Sequence, residues 1–195
     1  FIGKNAGLGA SGSDNDGTVA IGFDSLKALT SAQRMTAIGF EALKLEDAGS
    51  FQTAVGYQAL AQVNNDNGHN TALGQRAGYN LTTGNANTLI GSGADASGSG
   101  GVNQTVIGQG ATGQANNSVT LGNSSVTDVY MAQDSGATVH AGGAIHSGDT
   151  PYVIIKDTSA FSAGTGGGIS LQGKDSAENN KQFGAIQGFS IGNNN

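Results

Sequence analysis

An aliphatic residue followed by glycine returns eight times along this 195-residue chain, at Ile2-Gly3, Ile21-Gly22, Ile38-Gly39, Val55-Gly56, Leu73-Gly74, Ile90-Gly91, Ile107-Gly108 and Leu121-Gly122. Successive glycines lie 19, 17, 17, 18, 17, 17 and 14 residues apart. Three residues past each glycine stands a small side chain: Ala6, Ser25, Ala42, Ala59, Ala77, Ala94, Ala111 and Ser125. A unit this short cannot bury its own apolar side, so a regular array of them folds by stacking unit on unit. The 34 glycines would suggest disorder without a period. With one, they are structural.

The unit Thr36-Ala37-Ile38-Gly39 returns as Thr53-Ala54-Val55-Gly56 and Thr71-Ala72-Leu73-Gly74, and Thr88 and Thr105 open the next two. Thr and aliphatic residues favour strands, and the Asn, Asp, Gly and Ser between them favour turns. Each unit therefore reads as strand, tight turn, strand and loop. Phe23 to Leu29 and Phe40 to Leu45 have helix-forming composition but are too short for a stable helix, and neighbouring units place glycine there. A 17-residue coil at about 3.3 Å per residue has a perimeter of roughly 55 Å, and eight coils stacked at about 4.8 Å make a rod on the order of 35 Å long. The expected fold is an all-β parallel β-roll or β-solenoid.

Adjacent apolar residues, such as Ala37 with Ile38, Leu89 with Ile90 and Val106 with Ile107, point to opposite faces of a strand. One face fills the coil and the other needs cover from outside it. Sister copies of the chain would supply that cover, with the recurrent Gly and Ala residues letting backbones approach. The expectation is a homo-oligomer, a trimer first.

These repeats resemble the head repeats of trimeric autotransporter adhesins, which also occur in phage tail fibres. The resemblance rests on Asn117-Ser118-Val119-Thr120-Leu121-Gly122 with Ser125, and on Thr18-Val19-Ala20-Ile21-Gly22 with Ser25. It covers residues 1 to about 125 and implies a left-handed parallel β-roll built as a trimer, with a role in adhesion or in projecting a binding tip. The units here are longer than is typical of the family, the surplus falling in loops such as Asn64 to Asn70.

The period stops at Val126. Residues 126–148 read as a neck and 149–195 as the start of a further β module, with strand-like runs at Tyr152 to Lys156, Gly168 to Gln172 and Phe183 to Ile191. The chain opens inside a repeat and reads as a fragment. The resulting expectation is a structural fibre protein, first a phage tail fibre shaft outside the cell that presents a receptor-binding tip. A bacterial trimeric adhesin head is the alternative, and a polysaccharide-degrading spike the third reading. The partner would be a cell-surface glycan or protein, met through loops or a tip.

Other chemistries are poorly supported. Gly7-x-Gly9-x-x-Gly12, Gly108-x-Gly110-x-x-Gly113 and Gly91-x-Gly93-x-x-Ala96 match a dinucleotide fingerprint, but another repeat follows where the phosphate-binding helix should be. Asp14-Asn15-Asp16-Gly17 and Asn65-Asp66-Asn67-Gly68 resemble pieces of a calcium loop. Counted from Asp14, however, the sixth and twelfth places are Val19 and Ser25 instead of Gly and Glu. His140, His146 and Asp149 are too few for zinc within one chain, Cys is absent, and His69 lies in a polar stretch. No nucleophile-elbow sequence marks a Ser-His-Asp triad.

Phe23, Phe40 and Tyr57 recur just past the repeat glycine and read as a stacked ladder ahead of a sugar platform. The column Thr36, Thr53, Thr71, Thr88, Thr105 invites comparison with an ice-binding face, but strand propensity accounts for it. The formal net charge is −6, and no Lys or Arg lies between Arg76 and Lys156, which argues against nucleic acid and anionic membranes as partners. No catalytic residue, cofactor or metal is expected.

Overall fold

In the computed structural model the described residues are 1–10, 16–31, 33–65, 68–130, 172–174 and 180–182. Seven short strands, β1 Val19–Ile21, β2 Thr36–Ile38, β3 Thr53–Val55, β4 Thr71–Leu73, β5 Thr88–Ile90, β6 Gln104–Ile107 and β7 Ser118–Leu121, form one parallel sheet in chain order. The register superimposes one unit on the next, with Thr36 paired to Thr53, Thr53 to Thr71, Thr71 to Thr88 and Thr88 to Thr105. Ile2 adds one further rung below β1 through a single parallel bridge to Ile21. The fold is a β-solenoid, as the period predicts, but of about six turns against the eight stacked coils expected, with no helix among the described residues.

Its interior follows the strand alternation. Ala20, Ala37, Ala54, Ala72, Leu89 and Val106 point inward and are fully buried. Leu26, Leu29, Leu43, Leu60, Leu81 and the small residues Ala42, Ala59, Ala77, Ala94 and Ala111 complete the core.

The expected second strand of each coil is replaced by a leg of turns. In that leg alternate residues take positive φ: Asp24 and Leu26, Glu41 and Leu43, Gln58 and Leu60. Side chains other than glycine pay about 1–2 kcal/mol for this conformation. It persists because the alternation turns successive N–H groups toward opposite neighbours. Glu41 donates to Phe23 O on the coil before at 2.8 Å, whereas Leu43 donates to Ala59 O on the coil after at 3.0 Å. Gln58 and Leu60 repeat this one coil on, bonding Phe40 O and Ala77 O. Residues 23–29 and 40–45 thus hydrogen-bond between coils, where a helix would bond within itself.

The chain divides into two compact units, Phe1–Ala137 and Thr138–Asn195. In the second, β8 Gln172–Lys174 pairs antiparallel with β9 Asn180–Gln182. The expected run Gly168 to Gln172 meets β8 only at Gln172, and β9 precedes the run expected from Phe183. The remainder of the expected neck and β module lies outside the described residues.

Candidate functional surfaces

The repeat residues sort into two columns. Ile21, Ile38, Val55, Leu73, Ile90, Ile107 and Leu121 form an outward stripe along the solenoid, half-buried to half-exposed, with Leu73 50% and Leu121 47% accessible. Ile2 extends it by one rung. Gly22, Gly39, Gly56, Gly74, Gly91 and Gly108 form the second column, with φ between 132° and 141°. A Cβ at Gly22, Gly39 or Gly56 would sit 2.3 Å from the carbonyl oxygen of the next glycine in the column. Gly122 closes the column at φ 84°, packed against Val126. The close approach foreseen between sister chains is therefore made by successive coils of one chain, and the small residues three places on fill its core.

Two residues past the stripe, Phe23 stacks on Phe40 at 5.3 Å between ring centres and Phe40 on Tyr57 at 5.2 Å, with planes within 10°. Lys4 lies over the free face of Phe23 at 5.9 Å. The expected ladder is present, and its outer edges are exposed. Beside it runs a polar column. Lys27 pairs with Asp24 at 3.0 Å, Lys44 with Glu41 at 2.7 Å, Gln58 donates to Glu41, and Arg76 donates to Gln58. The Asn5 amide holds Asp24 below the ordinary carboxylate range, and the Lys44 ammonium does the same for Glu41 while being raised in return.

A second ladder was not anticipated. Arg34 lies 5.4 Å over Phe51, which stacks on His69 at 5.0 Å, all three at positive φ on one corner of successive coils. His69 is thus an exposed ring in a stack.

The main feature missed from sequence lies inside. Gln52, Asn70, Asn87 and Gln104, each just before a strand threonine or, in β6, opening the strand, are buried and joined in series. Asn87 Nδ2 donates to Asn70 Oδ1 at 3.0 Å, Asn70 Nδ2 to Gln52 Oε1 at 3.2 Å, and Gln52 Nε2 to Glu46 Oε2. Backbone groups fix each asparagine's orientation. Gly84 O and Gly101 O accept from Asn70 and Asn87, while the Asn87 and Gln104 N–H groups donate to Asn70 Oδ1 and Asn87 Oδ1. Asn70, expected in a surface loop, is an interior rung.

Among the described residues no group of three His, Cys, Asp or Glu side chains could hold a metal. Gly91-Gly93 and Gly108-Gly110 lead into inter-coil turns, with no helix amino terminus for a phosphate. Gly12, Asp14, Asn15, Asp66, Asn67, His140, His146 and Asp149 lie outside the described residues. Asp95, nearly buried, is raised by that burial and held by Asn80 N and Nδ2 at 3.1 and 2.8 Å and by Ala96 N at 3.0 Å, which makes it a turn clamp. Comparison with protein families, curated proteins and solved structures finds no match.

Proposed function

We propose that this solenoid is the shaft segment of an extracellular fibre, built as a homotrimer, that carries a receptor-binding tip for attachment to a cell surface. The outward aliphatic stripe carries the reading. It runs without interruption from Ile21 to Leu121, one aliphatic side chain per coil, and is left half-covered by its own chain. Covering it is worth roughly 1 kcal/mol per rung, and a surface with one apolar residue at every coil spacing is matched by another copy with the same spacing. Closed symmetry then buries the stripe of each copy without leaving one exposed.

A stiff rod follows, because most of the backbone hydrogen bonds join one coil to the next. A phage tail fibre is the origin favoured by the change from repeat to non-repeat sequence after residue 125, and a bacterial adhesin head serves the same mechanical role. The polar loops offer contact to a surface glycan or protein.

Light scattering on the purified chain tests the assembly. Three copies of 19.3 kDa give about 58 kDa, and a stable species at the single-chain mass would end the proposal. Incubation with capsular polysaccharide tests the role: release of new reducing ends would replace a shaft with a polysaccharide-cleaving spike.

A further inference from the structure

The β7 end of the stack is built differently from the rungs below it. Strand β7 places Thr120 in the inward position, paired with Val106, that apolar residues from Ala20 to Val106 hold on earlier coils. In the turn leg, Thr112 stands where Leu26, Leu43 and Leu60 stand on early coils. The interior thus ends in hydroxyls. Both threonines line a cavity of about 370 Å³, together with Gly110, Gln114, Gly122, Asn123 and Ser124. Its volume lies at the lower end of the range for small-ligand sites, about 300–1,000 Å³.

This end is closed against a further coil. On lower coils the carbonyl just past the repeat glycine accepts a backbone N–H from the coil after, as Gln75 O does from Gly93 at 2.8 Å and Ser92 O from Gly110 at 2.9 Å. At Gln109 O the donor is instead the Asn123 side chain, through Nδ2 at 2.8 Å. Lower glycines of the column meet the next glycine on the side where a Cβ would stand, whereas at Gly122 that side is filled by Val126.

Several polar groups at the cavity are left over. The N–H groups of Leu43, Leu60, Gly78 and Asp95 donate to Ala59, Ala77, Ala94 and Ala111 O on the coil after, but the equivalent N–H of Thr112 finds no acceptor among the described residues. The Thr112, Thr120 and Ser124 hydroxyls make no hydrogen bond among those residues either. Gln114 donates through Nε2 to Thr112 O at 2.9 Å, which leaves its Oε1 as an acceptor.

These groups select a ligand class. No charged side chain lines the cavity, so an ionic ligand would lose water without gaining a counter-charge. An apolar ligand would strip water from an N–H and three hydroxyls and leave them unpaired. An extended peptide would need the next rung, which Asn123 and Val126 have taken. A neutral ligand with closely spaced groups that both donate and accept satisfies them all. We propose that this cavity binds a neutral saccharide, whose hydroxyls pair with Thr112 N–H, the three side-chain hydroxyls and Gln114 Oε1. The threonine methyls and the glycine backbones offer contact to its C–H face. For its role the site rests on the fibre reading: no residue of the aliphatic stripe lines the cavity, so copies joined along the stripe each carry one, and three weak sites on one fibre hold a glycan-coated surface by avidity.

The test is an amide-resolved NMR titration of the full chain with glucose, galactose, mannose and N-acetylglucosamine, alongside sialyllactose and a neutral tripeptide. The expected result is a saturable shift of the Thr112, Asn123 and Ser124 amides with at least one of the four neutral sugars, with the Asp24 and His69 amides unmoved. Thr120→Val, which repeats on β7 the inward valine of β6, should weaken binding about tenfold or more at an unchanged melting temperature. Ser124→Ala, exposed and remote from the core, gives the same readout should Thr120→Val fold poorly. No saturable shift with any neutral sugar, shifts with sialyllactose or the tripeptide alone, or binding unchanged in both variants would overturn the proposal. Light scattering on the same samples keeps the two readings apart: trimers that bind no sugar leave the shaft and remove this site, whereas single chains that bind sugar leave the site and remove the shaft.

Discussion

The first three coils and the last three share one backbone plan but differ in what fills them. Early on, the interior holds Leu26, Leu29, Met35 and Leu43, and the exterior carries the Phe23, Phe40, Tyr57 ladder with its ion pairs. Later, the place of Met35 is taken by Asn70, Asn87 and Gln104, the place of Leu43 and Leu60 by Gly78, and the place of the aromatic rings by Gln75, Ser92 and Gln109. Glycine stacking and strand register are the same in both. The coil is therefore specified by its backbone contacts, and either apolar packing or a satisfied amide series can fill it.

The largest effect should come from what the two regions share. In Gly56→Ala the new Cβ would lie 2.3 Å from Gly74 O at a φ of 141°. With clash and strain combined, the loss should exceed about 4 kcal/mol, read as failure to fold or a large fall in denaturant midpoint. If the variant melts like the wild type, backbone stacking does not specify the coil.

A paired comparison sharpens the contrast in filling. Leu43→Ala should cost about 2–5 kcal/mol through the cavity it leaves. Asn87→Ala should cost about 2–3 kcal/mol by leaving Gly101 O, Gln104 N and Asn70 Oδ1 short of partners. Chemical denaturation of both variants checks this, and an Asn87→Ala near neutrality would mean that the amide series is mere filler.

The smallest effect belongs to the exterior of the early coils. Lys44→Gln should cost at most about 0.5 kcal/mol, because the Glu41 pair is partly exposed and screened. Glu41 is held below its ordinary value, so the stability it gives is present above 4.5 and fades as pH falls. The difference between Lys44→Gln and wild type should therefore shrink toward low pH in thermal melts.

The sequence made the repeat legible because glycine is the one residue that fits under a neighbouring carbonyl, so a backbone requirement became a visible column at Gly22 through Gly108. The outward aliphatic residues and the Phe23, Phe40, Tyr57 ladder were legible for the same reason. The amide series was equally periodic, as Gln52-Thr53, Asn70-Thr71, Asn87-Thr88 and Gln104-Thr105, yet Asn and Gln are read as surface or turn residues unless their backbone partners are known. Gly84 O and Gly101 O, which satisfy them, are set by the three-dimensional stack. Glu46 was hidden because it occurs on one coil alone, and the turn leg because Leu43 and Leu60 carry nothing in their chemistry that signals positive φ.

Because Thr36 sits on Thr53 and Thr53 on Thr71 with every contact passing only to the adjacent coil, the rod has no preferred number of rungs. Duplicating or deleting one unit would change its length by about 4.8 Å and leave the remaining joints as they were. Gene-level copying of a single segment could thus tune how far such a protein reaches, one notch at a time.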